Sequence, residues 1–157
     1  MSPRAAWQLE RLGFGEVYDY AAGKAAWLAT GLPAEGSVGD GDRAGPVARR
    51  DAPLCGPDET VGDVRARLGA WDLAVVVTGG QSDGVVLGVL TASGAADAPP
   101  SSRARDVMAP GPSTFRPSIT RRELAEWMDQ QDGTRSRRTL VTTLDGRLVG
   151  VVCREDL

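Results

Sequence analysis

The chain has 157 residues, 41% of them hydrophobic and 25% charged, with a net charge of −3. That is a globular composition with room for one domain or two small ones, and it lacks the basic excess needed to wrap nucleic acid. The sequence contains no His and no Asn, which excludes a Ser-His-Asp triad, His acid–base chemistry, His metal ligation and N-glycosylation.

Gly and Pro supply 20 and 10 residues, enough to expect true linkers. The two cysteines, Cys55 and Cys153, are too far apart for a CxxC zinc site or a small disulfide scaffold. No apolar run is long enough to span a bilayer, and the N-terminus lacks the basic-then-apolar order of a secretion signal. A cytoplasmic location is the resulting expectation. The basic residues are 17 Arg against one Lys, a bias that GC-rich codons explain better than a need for guanidinium chemistry.

In chain order, Ser2 and Pro3 offer an N-cap and first helical residue. Ala5, Leu9 and Leu12 then recur on one helical face, and Gly13 stops the helix. Glu16–Tyr20 reads as a short strand and Gly23–Thr30 as a second helix. Residues 33–51 are rich in Gly, Pro and Asp and poor in apolar side chains, so residues 37–51 are expected to form a flexible linker.

Residues 52–157 contain an internal repeat. PLCGPDETVGDVRARL, WDLAVVV and DGVVLGVLTASG are followed later by STFRPSITRRELAEWM, RRTLVTT and DGRLVGVVCRED. Pro57 matches Pro117, Thr60 matches Thr120, and Val64 matches Leu124; Asp83-Gly84 matches Asp145-Gly146, and Gly88 matches Gly150. Each copy predicts a short extended piece, a helix, and two apolar strands joined through Asp-Gly, at 72–78 with 84–91 and at 138–143 with 147–153. The helix faces are Val61, Val64, Leu68 and Leu124, Trp127, Met128. The fold class is α+β: two β-α-β-β repeats, residues 52–98 and 104–157. A lone copy has too little core to stand by itself, so the two are expected to pack on each other.

The repeat resembles a pair of CBS domains, or Bateman module. The residues that carry the resemblance are ARDVM at 104–108, Pro117 ahead of an amphipathic helix, and LDGRLVGVVCREDL at 144–157. The resemblance implies a non-catalytic regulatory module, with no cofactor and no metal, that binds AMP, ADP, ATP or S-adenosylmethionine between its copies or mediates homodimer assembly. It places ligand contacts where the last strand of each copy ends. Asp156 matches a ribose-binding acid, because two carboxylate oxygens can accept from adjacent hydroxyls. Cys153 replaces the family's Thr, and Arg154 becomes a candidate phosphate contact. A helix cap is the competing reading of Asp156. In the first copy Thr91 is kept, but Gly94 stands in place of the acid. Ser113 and Thr114 open the first strand of the second copy, where the family lines the base, with Phe115 beside them read as core. The Arg cluster at 135, 137 and 138 reads as a solvated loop, and both cysteines as small apolar strand residues. The family's terminal helix would begin near Leu157, so a frayed end or completion by a partner subunit is expected.

Residues 2–36, SPRAAWQLERLGFGEVYDYAAGKAAWLATGLPAEG, resemble the C-terminal third of a rhodanese-like sulfurtransferase domain. That family's nucleophilic Cys lies on the loop before this helix, ahead of Met1, and neither Cys55 nor Cys153 matches it. Residues 1–36 are thus expected to be a truncated fragment without sulfurtransferase activity. The alternative is a piece of a rhodanese–CBS fusion enzyme whose catalytic Cys is encoded upstream of Met1.

Overall fold

The structure, a computed structural model, describes residues 3–18, 23, 27, 42–131 and 137–157. Helix α1 spans Pro3–Arg11 and ends where Gly13, at φ +92°, turns the chain with a backbone bond from its N–H to the Glu10 carbonyl, 3.0 Å. Arg11 lies over the Trp7 ring at 4.9 Å, and Trp7, Leu12, Phe14 and Tyr18 are exposed. The strand expected at Glu16–Tyr20 does not form over Glu16–Tyr18, which has no pairing partner among the described residues. Tyr20 and most of the expected Gly23–Thr30 helix lie outside the described residues.

The first half contains β1 (Leu54–Cys55), α3 (Val61–Arg67), β2 (Leu73–Val77), β3 (Val86–Thr91) and α4 (Ala92–Asp97), after a short helix α2 (Ala44–Val47). A second short helix, α5 (Ala104–Val107), leads through β4 (Ala109–Pro110) into the second half. That half contains β5 (Thr114–Phe115), α6 (Arg121–Asp129), β6 (Arg138–Thr142) and β7 (Leu148–Cys153), closed by a 3-10 turn at Arg154–Asp156. The sheets run β1-β2-β3-β4 and β5-β6-β7, with β1 parallel to β2, β5 parallel to β6, and the other pairs antiparallel. Each long helix is capped by the Thr that the repeat aligns. Thr60 accepts from the Asp63 N–H, and Thr120 forms a reciprocal capping box with Glu123.

The run Ala74–Val77 is buried on both faces, which explains why it is apolar throughout rather than alternating. Ala74 and Val76 face α3 with Val61, Val64 and Leu68. Val141 and Val152 face α6 with Leu124 and Met128. The opposite sheet faces meet each other: Val75, Val77, Leu140 and Val151 form a third core between the halves.

Paired backbone bonds make the two halves quasi-twofold equivalents. Val86 N–H donates to the Gly146 carbonyl at 3.0 Å, and Leu148 N–H donates to the Gly84 carbonyl at 3.3 Å. The segment before each half docks on the other half. Ala44 N–H donates to the Ile119 carbonyl and Ala104 N–H to the Glu59 carbonyl, both at 2.9 Å. Gly45 N–H reaches the Pro117 carbonyl and Arg105 N–H the Pro57 carbonyl, both at 3.0 Å. Residues 42–51 are therefore a strap built into the second half, not the flexible linker that their composition suggested. Ala44 is fully buried, and Arg49 bridges Val151. Among the described residues no helix is long and apolar enough to cross a membrane.

Candidate functional site

Two clefts lie along the seam of the halves, at positions that the quasi-twofold does not superpose. The first has a volume of about 370 Å3. Leu73, Val89, Leu140 and Trp127 give it apolar walls, and Thr91, Ser93 and Ser113 give it a polar rim. Its floor comes from β3 of one half and β6 of the other, so neither half could form it unaided. Trp127 is held by an edge contact with Phe115, ring centroids 4.7 Å apart at 67°. Phe115 packs with the second-half core, as the sequence suggested.

Thr91 ends β3 and caps α4: its hydroxyl accepts from the Gly94 N–H at 3.1 Å and lies 3.2 Å from the Ser93 hydroxyl. Gly94 supplies no carboxylate here, and the one carboxylate in the cleft lining is that of Asp72, next to Leu73, which pairs with Thr91. Arg138, predicted as part of a solvated loop, instead lines the cleft. Its guanidinium pairs with Asp72 and sits 4.9 Å over the Trp71 ring. Arg137 is exposed, and Arg135 lies outside the described residues. Ser113 lies in the cleft lining, while Thr114 sits on β5 as an exposed residue outside it.

The second cleft is smaller, about 270 Å3, and is lined by Arg49, Arg50, Ala52, Leu54, Leu148 and Gly150 among others. Asp156, Cys153 and Arg154 do not line it. Asp156 lies in the terminal turn and accepts two bonds from Arg49, Nε to Oδ2 and Nη2 to Oδ1, each 2.7 Å. These hydrogen bonds hold the Asp156 carboxyl below the usual carboxylate range. The side chain is not a helix cap: Cys153 occupies the cap position of that turn and makes no side-chain capping bond. Arg154 is committed to Asp129 of α6 through two bonds of 2.8 and 2.9 Å. Its guanidinium, expected from the sequence to be a candidate phosphate contact, is thus paired with a carboxylate in this structure.

Cys153 is fully buried at the end of β7, and burial raises its thiol pKa. Burial pushes the Cys55 thiol up to about 11. Neither is poised as a thiolate nucleophile. Among the described residues no group of His, Cys, Asp or Glu could hold a metal ion. The terminal turn is held down rather than frayed, with Arg121 donating to the Asp156 carbonyl at 2.7 Å and Leu157 packed against the second core.

A family model described as "CBS domain" matches residues 104–157. No curated protein matches the chain. Among solved structures, the cytosolic domain of the Mg2+ channel MgtE in complex with ATP is 26% identical with a TM-score of 0.62, over 73% of this chain and 47% of that one. This chain thus spans about half the length of that channel domain. A CBS-domain-containing protein from Agrobacterium tumefaciens is 28% identical with a TM-score of 0.54, over 68% of this chain and 81% of that one. The CBS domains of a transcriptional regulator from Streptococcus pneumoniae are 23% identical with a TM-score of 0.62, over 71% and 92%. The second half matches the CBS domain, and the two halves together have the α+β fold of CBS-domain pairs.

Proposed function

We propose that this protein is a non-catalytic sensor module of the cytoplasm that takes an adenosine-containing small molecule in its first cleft. The observation that carries this reading is the composition of that cleft: a slot walled by Leu73, Val89, Leu140 and Trp127, rimmed by Thr91, Ser93 and Ser113, with Arg138 at one side. A flat heteroaromatic base suits the apolar walls, and its polar substituents suit the rim. The volume is at the small end of ordinary ligand sites, which favours a mononucleoside ligand over a dinucleotide. Support also comes from the likeness to the ATP-bound channel domain, which extends over 73% of this chain. Homodimer assembly is the second part of the proposal and follows from the family resemblance.

Two features support a module without covalent chemistry: the sequence has no His, and both cysteines are buried with raised thiol pKa values. The sulfurtransferase alternative draws on residues 2–36, and nothing in their described part favours it.

Calorimetric titration with AMP, ADP, ATP and S-adenosylmethionine tests the proposal. Binding of at least one at a single site is expected, and Ser113→Trp, which fills the cleft, abolishes it. Absence of heat with all four at millimolar concentration overturns the ligand reading. Sedimentation analysis tests the dimer, and a monomer mass at high concentration overturns it.

A further inference from the structure

The quasi-twofold axis permits a position-by-position comparison of the first cleft with its counterpart position in the second half. Ala109 pairs with Val89, and Arg49 bridges Val151 in the same way, so Arg49 is the counterpart of Ala109. By the same symmetry Ala92, Ser93 and Gly94 correspond to Arg154, Glu155 and Asp156. In the first half all four positions carry small side chains, and the cleft runs up to Thr91, Ala92 and Ser93. In the second half all four carry long or charged side chains, and the smaller cleft is lined by Leu148–Gly150 and not by Val151–Glu155, the counterparts of Val89–Ser93.

Arg49 spans the intervening ground. Its backbone is fixed by two bonds with Val151, 2.8 and 2.9 Å. From there its guanidinium reaches both oxygens of Asp156 at 2.7 Å and Glu155 at 3.4 Å. The Asp156 side chain keeps 23% of its surface exposed, so it sits at an accessible mouth rather than in the core. Both of its oxygens are engaged in the fork geometry that Arg makes with carboxylates.

We infer that Arg49 is a built-in occupant of the second-half counterpart of the first cleft, and that it makes the module single-sited by filling the space left open beside Ala109 in the first and by engaging Asp156. The inference rests on the reading of the first cleft as a nucleotide site. A nucleoside entering that counterpart position would have to displace a bidentate ion pair held in register by the strap. With Arg49 shortened, space opens beside the terminal turn and Asp156 has two free acceptor oxygens for a vicinal diol.

Titration of the full chain with AMP, with folding checked by circular dichroism, tests this. The wild type is expected to bind one AMP, Arg49→Ala two, and Arg49→Ala combined with Asp156→Asn one again. Should Arg49→Ala fail to fold, Arg49→Gln, which retains most of the stem but cannot make the fork, serves in its place. A folded Arg49 variant with the same stoichiometry as the wild type overturns the inference, whether that stoichiometry is one or zero. A wild type that binds nothing beside an Arg49 variant that binds one AMP supports the inference while removing the first-cleft reading.

Discussion

Gly150 lies beneath the strap, where the chain of one half crosses β7 of the other. A Cβ placed on it would lie 2.6 Å from the Arg49 carbonyl oxygen, 3.0 Å from the Ala48 Cβ and 3.2 Å from the Ala48 carbonyl carbon. Two of these three atoms are backbone, so no rotamer change relieves the contact. The strap must shift by about half an ångström or release its two bonds to Val151. Overpacking at a tight site costs about 1–3 kcal/mol. Releasing two backbone bonds costs about 1 kcal/mol each. The reduced freedom of Ala in the unfolded chain returns about 0.4–1 kcal/mol. Gly150→Ala is therefore expected to destabilise by about 2 kcal/mol, which for a chain of this size lowers Tm by about 4–8 °C. Urea denaturation and thermal melts followed by circular dichroism give both quantities. Trypsin supplies an independent readout, since a released strap frees the backbone at Arg49 and at the already exposed Arg50 for cleavage. Gly15→Ala is the control, because no atom lies within 4 Å of the added carbon. If Gly150→Ala stays within about 0.5 kcal/mol of the wild type and is equally resistant to trypsin, the strap is not held as described.

Leu124→Ala, at a fully buried position facing β6 and β7, is expected to cost about 2–5 kcal/mol in urea titrations; a cost under 1 kcal/mol would mean the second core is not packed around it. The Asp156 pKa is depressed in the folded state, so its contribution is fully present above the unfolded value near 3.8 and lost as pH falls through the lower folded value. Tm measured from about pH 6 downward should fall more steeply below pH 4 for the wild type than for Asp156→Asn, and parallel acid limbs would count against the ion pair. With both cysteines buried, native protein at pH 8 should react with a thiol reagent only after denaturant is added; prompt labelling would contradict the burial of Cys55 and Cys153.

Much of the repeat was legible because its signals are local. The Thr that caps each long helix, the apolar runs and the Asp-Gly turns occupy fixed offsets, and the structure forms strands at 73–77, 86–91, 138–142 and 148–153 close to the expected positions. The strap is hidden because its Gly- and Pro-rich composition reads as a linker while its alignment with the second copy is short. Arg43, Ala44 and Val47 align with Arg103, Ala104 and Val107 at the same offset of 60 that relates Thr60 to Thr120, so the repeat extends upstream into residues rich in Gly and Pro. The short strand at Glu16 has a Val-Tyr signal but no pairing partner among the described residues. Thr91 and Ser113 line the first cleft, whereas the place of Arg138 there is not legible locally, because its partner Asp72 is distant in sequence. The Arg49–Asp156 pair joins residues 107 apart, and nothing in either neighbourhood signals it. Only the exchange of straps brings the two together.

That exchange also determines what a fragment would be. Severing the chain between residues 98 and 103 would not yield two self-sufficient units, since each piece would carry the clasp that fastens its neighbour and would lack its own. The exposed seat on either piece would be complementary to the clasp on the other, so the severed parts should find each other in solution and rebuild the whole, whereas one part purified by itself would stay incomplete.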